Sequence, residues 1–271
     1  MNLYISDLDG TLLNNDAKLS TYTIASLNKL IERGLRFSAA TARTPATVVP
    51  LLSRLHLDLP VVVMNGAAIY DLKTEKYITY NSIKESSVEK INKILEASNV
   101  SVFSYTILNN HINAYYNDLN NNVQKKFMND RVGSPFKTFI KSNLPSNSNV
   151  LYFLLLEKEP IVMDIYNKIR DIDGIYSVAY EDVYNKGFFN LEIYSDKSSK
   201  ANAIKEIMVK YNFDRLISFG DNLNDLPMFE ISDECYAVNN ANNQLKSIAT
   251  NVIDTNNNDG VVKYLEKLKS F

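Results

Sequence analysis

Thiols and imidazoles are almost missing from this chain. Cys235 is the single cysteine among 271 residues, so there is no disulfide framework and no thiol-rich zinc site. His56 and His111 are the only histidines, which leaves no material for a His-rich metal site and a poor basis for a histidine-dependent triad. None of the eight glycines falls in a G-x-G-x-x-G or Walker-type loop, so the usual nucleotide fingerprints are absent. No apolar run approaches the ~18 residues of a membrane span, and the N-terminus shows no basic, apolar, small-residue leader. Charge of one sign is lacking too: a net charge of −2 gives no global field for nucleic acid or anionic membrane. The nearest basic patch, "QKKFMNDR" (124–131), is broken by Asp130 and reads as a solvated helix face. The expectation is a soluble, cytoplasmic protein with neither nucleic acid nor membrane among its partners, as monomer or dimer.

What is present is ample apolar material. With 45% hydrophobic and 22% charged residues, the chain can bury a sizeable core, as one large domain or as a core with an insert. Through the first 80 residues, short apolar runs alternate with helical patterns. "LYIS" is followed by "TYTIASLNKLIERG", with Ile24, Leu27, Leu30 and Ile31 at helical spacing; then come "LRFSAA", "PATVVPLLSRLHL" and "PVVVMNGAAIYD". Apolar strands separated by crossover helices predict a parallel sheet covered on both faces.

Around residue 82 the pattern changes. The helix "SVEKINKILEAS" precedes strands "VSVFSYTI" and "INAYY", joined by the short turn "LNNH". A helix near 119–130, the strand "NVLYFLLLE", a helix near 160–171 and the strands "YSVAYEDVY" and "FFNLEIYSD" follow. Strands joined by short turns pair antiparallel, so this stretch reads as an α+β unit. From Ser198 the earlier alternation resumes, through "KANAIKEIMVKYN", "RLISFG", "LPMFEIS" and "CYAV" to a terminal helix "GVVKYLEKLKSF". The expected architecture is α/β: a Rossmann-like, mostly parallel sheet with helices on both faces, formed by residues 1–81 and 190–271, interrupted by an α+β cap domain over 82–189. "NDLNNN", "NNANNQ" and "TNNNDG" are short, lie between apolar segments and read as turns.

Polar residues gather where the core strands end. The first strand runs into Asp7-Leu-Asp9-Gly10-Thr11, the second into Thr41-Ala42-Arg43, and "LISFG" into Asp221-Asn222-Leu223-Asn224-Asp225. Lys200 opens the helix leading to that last strand. In open parallel sheets ligands bind beyond the carboxyl ends of the strands. Each residue also has an ordinary reading: Asp225 before Leu-Pro suits a helix cap, Thr41 a strand end, Lys200 a solvated helix position. "DLDG" lacks the third acid and distant Glu of a calcium loop. Their joint occurrence at one rim fits phosphoryl transfer. Asp7 and Asp221 offer the hard oxygens that Mg²⁺ prefers, and the cation masks carboxylate charge from a phosphate dianion. Lys200 neutralises a phosphate oxygen, Thr41 binds another, and two neighbouring aspartates divide the roles of nucleophile and general acid/base.

"DLDGTLL", Thr41 in "ATAR", Lys200 in "SSKANAI" and "GDNLND" resemble, in their order, the four motifs of the haloacid dehalogenase-like (HAD) hydrolases. "VVMNGAAIYD" and the position of the insert resemble the Cof-type phosphatases of that superfamily. The resemblance implies that Asp7 is the nucleophile, becoming an aspartyl-phosphate, and Asp9 the general acid/base. It implies Mg²⁺ on Asp7, the backbone carbonyl of Asp9 and Asp221, with Asp225 supporting the metal site from behind. It implies phosphate contacts from Thr41, Ala42, Lys200 and Asn224. Ala42 departs from the family's usual glycine; it adds strain only if φ there is positive.

The resulting expectation is a phosphatase hydrolysing a small phosphorylated metabolite: a sugar phosphate, a nucleotide or a cofactor phosphate. A phosphomutase on the same fold, a phospho-receiver and a binding protein without turnover are the rival readings. In the insert, Tyr105, His111, Tyr115, Tyr116, Arg131 and Lys137 are candidates to face the leaving group, and each also reads as an ordinary core or surface residue.

Overall fold

The computed structural model describes residues 1–182, 185–268 and 270. The chain divides into two compact units, Met1–Thr79 with Ser199–Phe271, and Tyr80–Ser198.

The first unit opens with β1 (Asn2–Ser6), whose Leu3, Tyr4, Ile5 and Ser6 are all buried. Burial on both faces is what a central strand of a covered parallel sheet requires. Helix α1 (Thr21–Glu32) starts where the Ser20 hydroxyl accepts the Thr23 amide at 2.9 Å, and buries Ile24, Leu27 and Leu30 along one stripe. β2 (Phe37–Ala39), α2 (Pro45–Leu52), β3 (Val61–Val63), β4 (Ala68–Asp71) and β5 (Lys76–Tyr80) follow. "PVVVMNGAAIYD", expected as one strand, is two. Met64, Asn65 and Gly66 all have positive φ (52°, 52° and 90°), which reverses the chain so that β3 and β4 pair antiparallel.

The inserted unit contains α3 (Glu85–Ala97), β6 (Val102–Leu108), β7 (His111–Tyr116), α4 (Asn122–Asn129), β8 (Lys137–Lys141), β9 (Val150–Lys158), α5 (Glu159–Ile169), β10 (Ile175–Glu181) and β11 (Phe188–Ser195). They form one sheet in the order β10-β11-β9-β6-β7-β8, antiparallel except between β7 and β8. The β6–β7 turn is two asparagines, Asn109 and Asn110, at φ 51° and 63°, the geometry that suits strand twist. Val88, Ile91 and Leu95 of α3 and Val162, Ile165 and Ile169 of α5 share a core with Phe153, Leu155, Leu191 and Ile193. Both helices therefore cover the same sheet face.

Two expectations need correction in this unit. The boundary at 189/190 falls inside β11, whose Asn190–Tyr194 pair with both β9 and β10, so the insert continues to Ser198. β8 is a strand where none was expected. The last two residues of "YSVAYEDVY", and residues 269 and 271 of the terminal helix pattern, lie outside the described residues.

The chain returns through α6 (Lys200–Tyr211), β12 (Arg215–Gly220), α7 (Leu226–Glu230), β13 (Glu234–Val238), α8 (Asn243–Ile248), β14 (Asn251–Ile253) and α9 (Gly260–Leu265). The central sheet runs β14-β13-β12-β1-β2, parallel throughout, and a bridge from Ala40 to Val62 continues it toward β3. From β1 the chain thus winds one way to β2 and the other way through β12. Right-handed crossovers wound in opposite directions put helices on both faces, and a crevice opens where the direction switches. That crevice lies at the carboxyl ends of β1 and β12. Among the described residues, no helix is long and apolar enough to cross a membrane.

Candidate active site

Asp7 follows the last residue of β1, and its amide donates to the Phe219 carbonyl of β12 at 2.9 Å. The tight turn after it, Leu8–Leu12, brings Gly10 to φ 77°. A Cβ at Gly10 would lie 2.4 Å from Asp221 Oδ2, so only glycine lets this turn approach the end of β12. From the same turn, Thr11 Oγ1 donates to Asp221 Oδ1 at 2.8 Å.

Lys200 is the hub. Its Nζ reaches Asp7 Oδ1 at 2.5 Å and Asp225 Oδ1 at 2.6 Å, with all three side chains buried. Ser199 caps α6 by accepting the Asn202 amide at 3.0 Å, which fixes Lys200 as the helix's first residue. Gly66 allows this placement, because a Cβ there would lie 2.1 Å from the Ser199 carbonyl oxygen. Asp225 Oδ2 accepts the amides of Asp221 at 3.0 Å and Asn222 at 3.1 Å, locking the loop after β12.

Oxygens of Asp7, Asp221 and Asp225 all lie within 4.8 Å of one another. Three carboxylates against one ammonium leave surplus negative charge when all are ionised. The protonation equilibria register this surplus. Burial raises Asp7 well above the usual carboxylate range, with Asp225 and Asp221 adding to it and Lys200 opposing. Burial and then the Asp225 charge push Asp221 up to about 6. For Lys200, burial acts to lower the pKa, but the charges and hydrogen bonds of Asp225 and Asp7 prevail and raise it. A compact set of hard oxygens with uncompensated charge suits a divalent cation. Asp7 and Asp221 fit as its ligands, since Asp225 is already held by Lys200 and two amides.

A test by pH follows. Asp221 is raised from its ordinary 3.8, so its contribution to metal-free stability is complete below about pH 4 and is lost as pH rises through 6. Asp221→Asn keeps an acceptor for Thr11 and removes the charge. In EDTA, its melting temperature is expected to exceed wild type at pH 7.5 and to converge with it near pH 4. Equal melting at pH 7.5 would contradict the charge surplus.

The other expected residues form a second, more open group. Asp9 is exposed, and Arg43 grips it with two bonds, Nε to Oδ2 at 2.7 Å and a terminal nitrogen to Oδ1 at 2.6 Å. Thr41 is fully buried; its Oγ1 accepts the Arg43 amide at 3.2 Å and its carbonyl accepts the Asn65 amide at 3.0 Å. Asn224 donates a long bond, 3.4 Å, to Asn65 Oδ1. Ala42 is exposed and is not among the residues with positive φ, so its side chain adds no backbone strain. The sequence reading missed Arg43, Thr11 and Asn65. Each sits within or beside a quoted motif, yet the partner of each lies in a distant segment.

Residues 4–265 match the model of the haloacid dehalogenase-like hydrolases. The chain belongs to that family. The Bacillus subtilis 5-amino-6-(5-phospho-D-ribitylamino)uracil phosphatase YitU is 26% identical over 265 residues, covering 96% of this chain and 95% of the relative. A haloacid dehalogenase-like hydrolase from Bacteroides thetaiotaomicron aligns with a TM-score of 0.79 at 22% identity, over 98% of each chain. The TM0651 protein of Thermotoga maritima aligns with a TM-score of 0.81 at 22% identity, over 99% of this chain and 98% of that one. The HAD-like core and its inserted α+β unit are thus the fold of these neighbours. In this HAD-like hydrolase the four motif-like stretches follow β1, follow β2, open α6 and follow β12, at the carboxyl-end rim where the winding of the sheet switches direction.

Proposed function

We propose that this HAD-like hydrolase is a Mg²⁺-dependent phosphatase of a small phosphorylated metabolite, working through an aspartyl-phosphate on Asp7. The enzyme is a phosphoric monoester hydrolase. The observation that carries the reading is Lys200, buried and paired at once with Asp7 and Asp225 beside Asp221. A solvated helix lysine has no reason to be there.

In this reading a carboxylate oxygen of Asp7 attacks phosphorus as the ester P–O bond breaks, and Asp9 gives its proton to the departing alcohol oxygen. Asp9 then takes a proton from the water that attacks the aspartyl-phosphate, which restores Asp7 and releases inorganic phosphate. Lys200 orients Asp7 and offsets charge on a phosphate oxygen, with Thr41, the Ala42 backbone and Asn224 binding the others. Arg43 aims Asp9. Bound by Asp7, Asp221 and the Asp9 carbonyl, Mg²⁺ supplies charge neutralisation for a dianionic substrate. The name of the B. subtilis relative makes a phosphorylated ribityl chain one member of the substrate panel, alongside sugar phosphates, nucleotides and pyridoxal phosphate.

The experiment is p-nitrophenyl phosphate hydrolysis by metal-free protein. Turnover is expected to be restored by Mg²⁺ and to drop by about 10²-fold or more in excess EDTA. Undiminished turnover in EDTA would remove the metal from the mechanism. Absence of phosphate release from every ester with Mg²⁺ present would remove the phosphatase reading.

A further inference from the structure

The six candidates in the insert separate by strand parity. Tyr105 pairs with Ala114 and Ala114 with Phe139, while Ile112 pairs with Lys137, so Tyr105, Tyr116, Lys137 and Phe139 share one sheet face. His111 and Tyr115 point to the other face, where His111 meets Thr138 at 2.9 Å. On the first face, Lys137 is 4% exposed, and no carboxylate pairs with it among the described residues. Its Nζ is surrounded by rings, 4.9 Å from the centroid of Phe139, 5.7 Å from Tyr105 and 5.8 Å from Phe127.

A second cation adjoins it. The Arg131 guanidinium lies 4.0 Å from the centre of the same Phe127 ring and donates to the Phe127 carbonyl at 3.0 Å, and no acid pairs with it among the described residues. The Tyr105 hydroxyl is buried with its oxygen toward the Tyr152 hydroxyl, which leaves its own O–H without an acceptor among the described residues. Its ring stacks on Tyr152, and Tyr152 on Tyr194. Glu192, an acid on this face, accepts the hydroxyls of Tyr180 and Tyr194 instead. Ring faces attract a cation but do not replace a counter-ion in a desolvated site. Burial first, and the Arg131 charge second, lower Lys137 to about 8, a penalty that a neighbouring anion would remove.

We propose that Lys137, Arg131 and the Tyr105 hydroxyl form an oxyanion-binding site in the inserted unit, shaped for a carboxylate or phosphate group. Two cations, a spare hydroxyl donor and an aromatic floor supply donors without acceptors, which selects against neutral polyols and metal cations. The site goes beyond the phosphatase reading and stands on the insert's own residues. Its occupant is either a second anionic group of the substrate or a separate small anion.

The test is a titration of the full chain with sulfate and with acetate, followed by amide NMR. The amides of Tyr105, Arg131 and Lys137 are expected to move together and saturate. Lys137→Met should weaken that response at least tenfold, Lys137→Arg should retain it within threefold, and Tyr105→Phe should weaken it while leaving the fold intact. Sulfate entering the crevice at Asp7 and Lys200 moves a different set of amides, and p-nitrophenyl phosphate hydrolysis reports on that crevice by itself. A failed site and a failed phosphatase are therefore distinguishable. No saturable shift at the three amides, or an undiminished shift in Lys137→Met and Tyr105→Phe, would overturn the proposal. Kinetics then identify the source. A KM for phosphoglycolate raised at least tenfold in Lys137→Met, with p-nitrophenyl phosphate within twofold, assigns the anion to the substrate. Lost sulfate binding with both substrates unchanged assigns it to a separate effector.

Discussion

Lys200→Met is expected to lower turnover by about 10²–10³-fold and to destabilise the metal-free protein by about 3–5 kcal/mol at neutral pH. Methionine keeps the length and flexibility of the side chain, so packing around α6 changes little. What disappears is the one cation between two buried carboxylates, Asp7 and Asp225. Each partner then stands without a counter-charge in a place where water cannot replace it. The carboxyls respond by binding protons more tightly when folded than when unfolded. Groups raised in this way are stabilising below their unfolded pKa and lose that contribution as pH rises. The deficit of the variant should therefore shrink toward pH 4 and grow toward pH 8, and added Mg²⁺ should recover part of it. Urea midpoints across that range, with and without Mg²⁺, measure this directly. A variant as stable as wild type at pH 7.5, or one turning over at near the wild-type rate, would place Lys200 outside the machinery.

Much of this site was legible because its residues follow strand ends. A parallel sheet sends every carboxyl end to one rim, so recognising β1, β2 and β12 as parallel strands brings Asp7, Thr41 and Asp221 to one edge before any coordinate is known. Partnerships between those residues were not legible. The grip of Arg43 on Asp9 and the bond from Thr11 to Asp221 join positions 34 and 210 apart in sequence. No local period encodes such pairs. β8 escaped notice because "KTFIK" begins and ends on lysine, and its buried Lys137 breaks the apolar-in, polar-out alternation that marks a strand. β3 and β4 merged in the reading although Asn65-Gly66 between them is itself a turn signal, because the apolar runs on either side, 61–64 and 67–70, read as one continuous strand. The core pattern of the insert was plain, since Val88, Ile91 and Leu95 repeat with helical period. Its C-terminal limit was not, because β11 is as apolar as a core strand and only its pairing partners assign it.

Asp7→Asn and Asp9→Asn, alike in composition, are expected to fail in opposite ways. Asp7→Asn removes the charge of the attacking oxygen and one carboxylate of the cation cluster, so turnover should fall by about 10⁴-fold or more with no covalent intermediate. Asp9→Asn leaves that cluster untouched, because the Asp9 side chain lies outside it, exposed and held by Arg43. Loss of the proton carrier should reduce overall turnover by about 10²–10⁴-fold. Its effect on the two half-reactions differs, however. A nitrophenolate leaves without needing a proton, so the phosphoryl group should still reach Asp7, whereas the water that must clear it lacks a base. An aspartyl-phosphate should accumulate in Asp9→Asn and be absent from Asp7→Asn. Acid-quenching each variant with p-nitrophenyl phosphate and Mg²⁺, then weighing the intact protein, reads the difference. Peptide mapping should place the phosphate on the segment containing Asp7. An adduct on Asp7→Asn, or one mapped to Asp9, Asp221 or Asp225, would reassign the nucleophile; an Asp9→Asn enzyme turning over at the wild-type rate would leave Arg43 aiming a carboxylate that carries no proton.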